Sequence, residues 1–101
     1  MKVSKPLVSI WCPAFNHENY IEQCLDNYIN QQTNFPFEIV VHDDASTDNT
    51  LKIIKEYQTK YPDLFNCIFQ TENQLSKDKS HLLKTMRKFC KGKYIALCEG
   101  D

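Results

Sequence analysis

The chain has 101 residues, 42% of them hydrophobic and 25% charged, ordinary proportions for one globular domain spanning 1–101 that exclude a disordered chain, a collagen-like repeat and a coiled coil. Twelve Lys and Arg against thirteen Asp and Glu leave a net charge of -1. Nothing in that balance marks a nucleic-acid partner or an anionic membrane surface, so an anionic ligand has to be held locally.

In chain order, Leu7 to Cys12 is a short β-rich run closed by Pro13, and Asn19 to Gln32 places Ile21, Cys24, Leu25, Tyr28 and Ile29 at helical spacing. Phe37 to Val41 is an apolar run with one acidic interruption, Glu38. Asp43 to Asn49 has turn chemistry, and Leu51, Ile54, Tyr57 and Gln58 begin a second helical face. Pro62 and Asp63 break that helix. Asn66 to Gln70 then reads as a third strand, and Lys79 to Cys90 as a third helix with Leu82, Leu83, Met86, Phe89 and Cys90 inward. Lys91 and Gly92 end it, and Tyr94 to Cys98 is a fourth strand, apolar on both faces, that runs into Glu99, Gly100 and Asp101. The order β-α-β-α-β-α-β predicts an α/β fold: a three-layer α/β/α, doubly wound, mainly parallel sheet covered on both faces. Asn73 to Lys79 is the most polar connection and the candidate mobile loop. A core strand at the very end of the chain reads as a truncated domain.

The five cysteines, Cys12, Cys24, Cys67, Cys90 and Cys98, show neither a C-x-x-C pair nor a histidine at zinc-ligand spacing, and are expected to be reduced, mostly buried thiols. The apolar stretch from Leu7 to Ala14 is interrupted by Ser9 and Pro13, too short for a signal-peptide core or a membrane span. The expected location is cytoplasmic.

In an open parallel sheet, ligands bind beyond the carboxyl ends of the strands, near the point where strand order reverses. Three polar loops are expected there: Pro13, Ala14, Phe15 and Asn16 after the first strand, His42 to Ser46 after the second, and Glu99 to Asp101 after the fourth. Asp43 and the run Ser46, Thr47 and Asp48 can cap the second helix, a purely structural use. Asp44 stands apart, as a carboxylate able to accept a hydrogen bond from a base N–H. Glu99 and Asp101, at i and i+2, suit a hard divalent cation that bridges phosphate oxygens, against the alternative of a solvated acidic turn. Two glycines, Gly92 and Gly100, cannot build either G-x-G-x-x-G or G-x-x-x-x-G-K-S/T, which argues against Rossmann dehydrogenases and P-loop NTPases. His17, His42 and His81 are expected to be hydrogen-bonded or surface residues, and Trp11 a core residue.

Three blocks in order, Val8 to Asn16, Phe37 to Thr50 and Lys91 to Asp101, resemble the family 2 glycosyltransferases, which have the GT-A fold with its Rossmann-like nucleotide-binding half. The resemblance implies a nucleoside-diphosphate sugar donor, commonly a UDP-sugar, and transfer to a saccharide or lipid-linked acceptor with inversion at the anomeric carbon. It places Pro13 and Phe15 at the base, Asp44 on the uracil N–H, and Glu99 with Asp101 in a D-x-D-type motif for Mn or Mg. Glu99 stands where the family commonly has Asp. The Ala-Arg-Asn that many members carry before the fourth strand is missing, and Lys79 or Lys84 is the candidate replacement near the diphosphate, with a solvated helix face as the alternative. The family's catalytic base would lie beyond Asp101, so no catalytic residue is expected within the chain. Two other readings compete: a non-catalytic nucleotide-binding or assembly module on the same fold, and a signalling receiver module, which would need a Lys on a fifth strand. An unfinished sheet edge also predicts self-association, a homo-oligomer of the chain.

Overall fold

The computed structural model of the chain describes residues 6–30, 34–70 and 79–97. Seven elements alternate in the expected order: β1 (Val8–Ala14), α1 (Ile21–Ile29), β2 (Phe37–Asp43), α2 (Thr50–Lys60), β3 (Phe65–Phe69), α3 (Lys79–Phe89) and β4 (Tyr94–Leu97). The sheet order is β3-β2-β1-β4, and every neighbouring pair is parallel. The chain therefore steps outward from β1 to β3, then returns across the sheet to place β4 on the other side of β1.

Handedness decides which face each helix covers, because right-handed crossovers put helices of opposite strand progression on opposite faces. α1 and α2 lie together on one face, where Ile21, Leu25 and Ile54 pack with Ile10, Cys12, Ala14, Ile39 and Val41. α3 lies on the other, where Met86 meets Trp11, Val40 and Ile68. The alternation along β1 and β2 follows the strand period of two. Between α1 and α2, the Tyr57 hydroxyl donates to Asp26 Oδ1 at 2.6 Å; burial and the Asp26 carboxylate beside it push this phenol above its ordinary range. Among the described residues no helix is long and apolar enough to cross a membrane.

Several element ends differ from the sequence expectation. β1 runs through Pro13 to Ala14, because the proline is harmless there. Val8 N–H donates to Pro36 and Ala14 C=O accepts from Asp44, so the even-numbered residues of β1 address β2. Pro13 turns its missing N–H to the other side, and the β1–β2 ladder stays whole. α1 begins only at Ile21, after a turn in which His17 C=O accepts from both Tyr20 and Ile21. β4 is not covered on both faces: Tyr94, Ile95 and Leu97 are all exposed. The polar connection Asn73 to Lys79 falls outside the described residues except for Lys79.

Candidate functional site

β1 and β2 run side by side, with Ala14 opposite Asp43, so the loops that follow them leave the same carboxyl edge of the sheet. Each loop turns sharply through one residue in the left-handed region, Asn16 at φ 53° and Ala45 at φ 61°. Asn tolerates that conformation, whereas in Ala the Cβ crowds the following carbonyl at a cost of roughly 1 kcal/mol. The turns redirect the chain across the strand ends, where the two loops are tied together.

The ties use side chain on backbone almost throughout. Asn16 Oδ1 accepts from Thr47 N–H at 2.8 Å, and Asn16 N–H donates to Ser46 Oγ at 3.0 Å. His17 N–H reaches Thr50 Oγ1 at 2.8 Å. Glu18 N–H donates to Asp48 Oδ2 at 3.3 Å, while Glu18 Oε2 accepts from Asn49 N–H at 3.2 Å. Asp48 Oδ1 also takes Thr50 N–H at 2.9 Å. The free N–H groups that open α2 are thus satisfied partly from its own loop and partly from the loop after β1, which locks the two together. Burial alone would raise the Asp48 carboxyl, but hydrogen bonds from Thr50 and Glu18 outweigh it and hold the group below its ordinary range.

The adjacent acids divide their tasks. Asp43 and Asp44 are each only 1% exposed. Asp43 Oδ1 accepts from Ser46 Oγ at 2.5 Å and Oδ2 from Ser46 N–H at 3.2 Å, so its carboxylate shapes its own turn. Asp44 is fixed through its backbone, N–H to Ala14 C=O at 2.9 Å, directly beside the end of β1. Behind them His42 is buried, stacked on Trp11 at 5.4 Å between centroids, with its Nε2 3.2 Å from Gln70 Nε2. This is the hydrogen-bonded histidine the sequence suggests, and Trp11 is the expected core residue.

The structure brings Pro13, Ala14, Phe15, Asn16, Asp43 and Asp44 to one edge. Ala14 is buried in the core beneath it, Pro13 and Phe15 are half-buried, and Asn16 is exposed. Lys79 is the first residue of α3, which starts from that same edge by connectivity; its side chain lies outside what the structure describes. Glu99 and Asp101 lie outside the described residues. Among the described residues no group of three His, Cys, Asp or Glu side chains could hold a metal ion. Sequence reasoning missed Glu18 and Thr50, whose partners stand about thirty residues away in the chain. It also missed the buried pair Ser9 and Glu38, although the acidic interruption of an apolar strand was a visible signal. The described cysteines form no disulfide with one another; burial pushes Cys67 up to about 12, and burial together with the Glu38 charge pushes Cys90 up to about 11.

Comparison with known proteins agrees with this fold. The family model described as glycosyl transferase family 2 matches residues 9–101. An uncharacterized protein of Mycobacterium tuberculosis is 43% identical over 95 residues, 93% of this chain and 26% of its own length. A chondroitin synthase of Escherichia coli is 34% identical over 96 residues, 95% of this chain and 13% of its own. Among solved structures, a mannosyltransferase from Pyrobaculum calidifontis in complex with GDP-Man and Mn2+ superposes with a TM-score of 0.77 at 30% identity, covering 98% of this chain and 28% of that one. S. aureus TarS in complex with UDP-GlcNAc gives 0.72 at 29% identity, covering 100% of this chain and 27% of that one. The chain thus spans between 13% and 28% of the length of these relatives, and its sheet matches their GT-A fold.

Proposed function

The chain belongs to glycosyl transferase family 2, and on that premise we propose that it forms the donor half of an enzyme moving a sugar from a UDP-sugar to a saccharide or lipid-linked acceptor. The observation that carries this reading is the position of Asp44. Asp44 is buried, with its backbone N–H held by Ala14 C=O at the shared edge of β1 and β2, flanked in the same loop cluster by Pro13 and Phe15. The uracil ring presents one imide N–H between two carbonyls, and a carboxylate held at a strand end is a fitting acceptor for it. Pro13 and Phe15 supply apolar surface for the ring faces. Donor complexes of the structural neighbours, with GDP-Man and with UDP-GlcNAc, support a nucleoside-diphosphate sugar as the ligand class.

In the proposed reaction an acceptor hydroxyl attacks the anomeric carbon on the face opposite the diphosphate. The carbon–oxygen bond to the diphosphate breaks, its electron pair leaves on the phosphate oxygen, and configuration inverts. The hydroxyl proton goes to a carboxylate outside this chain, so the 101 residues bind donor without turning it over. The leaving group gathers negative charge, and a bound Mn or Mg would neutralise it. Glu99 and Asp101 carry hard oxygen donors two positions apart, which suit such an ion, and the Mn2+ in the mannosyltransferase structure supports the same assignment. Lys79, at the start of α3, is placed on the diphosphate side of this reading.

Calorimetric titration of UDP, with and without Mn2+, tests the proposal. The chain should bind UDP more tightly with the metal, and Asp44→Ala should weaken binding about 10- to 100-fold, the loss expected for a hydrogen bond to a charged acceptor. Asp101→Ala should abolish the metal-dependent gain alone. A folded chain that ignores UDP, or binds it equally well in Asp44→Ala, overturns the reading.

A further inference from the structure

Three strands each send one polar side chain to the junction between α3 and β4, at the end of the sheet opposite the site. Glu38 of β2 is 6% exposed, and its Oε2 accepts from Ser9 Oγ at 2.6 Å and from Lys91 N–H at 2.7 Å. Ser9 of β1, fully buried, in turn accepts from Gly92 N–H at 2.7 Å. Asn66 of β3 donates from Nδ2 to Phe89 C=O at 2.7 Å, which satisfies one carbonyl left open at the end of α3. Gly92 fits against the backbone of β1 so closely that a Cβ there would lie 2.6 Å from Ser9 N.

A buried carboxylate is expensive unless its acceptor capacity is used. A structure that needed only apolar packing at this position of β2 would do better with Val or Ile, as at Val40 and Ile39. Glu38 is therefore spent on something an aliphatic residue cannot do: it captures the backbone of the segment that leads into β4. β4 itself is short and exposed, and among the described residues has β1 as its one sheet neighbour. The anchor at Lys91 and Gly92 thus fixes where that strand starts along β1, with Val8 opposite Tyr94 and Trp11 opposite Leu97.

We propose that Glu38, working through Ser9 and the Lys91–Gly92 backbone, is a positioning residue that sets the register of β4 and thereby the point at which the chain leaves it toward Glu99 and Asp101. Glu38 touches neither donor nor acceptor. Its effect reaches the site along the four residues of β4, as an outer-shell partner orients a ligand it does not include. The metal-related part of this inference rests on the donor-site reading above; the register part does not.

Hydrogen exchange of the ligand-free chain and UDP titration with and without Mn2+, on Glu38→Ala, Glu38→Gln and Ser9→Ala, test it. Glu38→Ala should speed exchange selectively at the amides of Tyr94 and Ala96, which face β1, leaving β2 and β3 protected. Metal-free UDP affinity should hold, while the metal-dependent gain falls on the order of 10- to 100-fold, as for other outer-shell losses. Glu38→Gln should restore both, because its Oε1 can accept from Ser9 and Lys91 as the carboxylate does. If Glu38→Ala does not fold, Ser9→Ala takes its place with the same expected pattern. Unchanged β4 exchange, uniform loss of protection across the sheet, or a Glu38→Gln variant as impaired as Glu38→Ala overturns the proposal. A wild-type chain that shows no Mn-dependent UDP binding would sink the donor-site reading instead, and the exchange data would still decide whether Glu38 sets the register.

Discussion

Asp43, Asp44 and Asp48 are similar in sequence and different in use. Asp43 holds Ser46, Asp44 stands at the end of β1, and Asp48 joins Glu18 to the start of α2. Against its burial, the Asp48 carboxyl is held below its ordinary range by its hydrogen bonds from Thr50 and Glu18, which makes its contribution to stability depend on pH. The folded state takes up the Asp48 proton less readily than the unfolded chain. The unfolded state therefore binds more protons as pH falls below the ordinary carboxylate value, and stability drops with it. The Asp48 contribution should be complete above about pH 4, the unfolded value, and be lost on acidification through the lower folded value. Urea unfolding of wild type and Asp48→Asn should give midpoints that differ at neutral pH and converge toward pH 2. Midpoints separated equally across that range would show that the loop clasp does not depend on the charge.

At the scale of elements, the α3–β4 junction yields a stability prediction as well as the functional one. A methyl group added at Gly92 meets the Ser9 backbone nitrogen, the Val8 carbonyl carbon and the Ser9 hydroxyl, two of them atoms that cannot swing away. Gly92→Ala should cost about 1–3 kcal/mol, the usual penalty of overpacking, and chemical denaturation would reveal it. A variant as stable as wild type would mean that the loop has room to shift.

The same junction shows what could and could not be read from the sequence. The β-rich runs beginning at Leu7, Phe37, Asn66 and Tyr94 announce the strands, and alternation with helical spacing announces the parallel sheet, because these signals are local. The loop residues Pro13 to Asn16 and Asp43 to Asp44 are legible as an edge cluster, because a parallel sheet sends successive strand ends to one side. Glu38 is visible as an interruption, but its purpose depends on Ser9 and Gly92, 29 residues before and 54 residues after it. The clasp of Glu18 on Asn49 is hidden for the same reason. Pro13 looks like a strand terminator, and only the register with β2 reveals that its missing donor faces away from that ladder.

For the molecule as a whole, the unequal sides of the sheet matter most. β3 is bordered by Tyr57, Tyr61 and the Lys55 ammonium over Phe69, whereas β4 presents Tyr94 at 56% and Leu97 at 71% exposure, with Ile95 beside them. Among the described residues β4 is an edge strand with large apolar side chains; such an edge is a template for another strand, and Lys is the residue that most often blunts it. We propose that a second copy of this chain occupies that edge when the 101 residues are studied alone. Sedimentation equilibrium should then show mass rising with concentration, and Leu97→Lys should return the chain to a monomer. A wild-type chain that stays monomeric at high concentration would refute the pairing. A Leu97→Lys variant that still associates would move the contact away from β4, to an apolar surface such as the exposed Leu7 and Phe35.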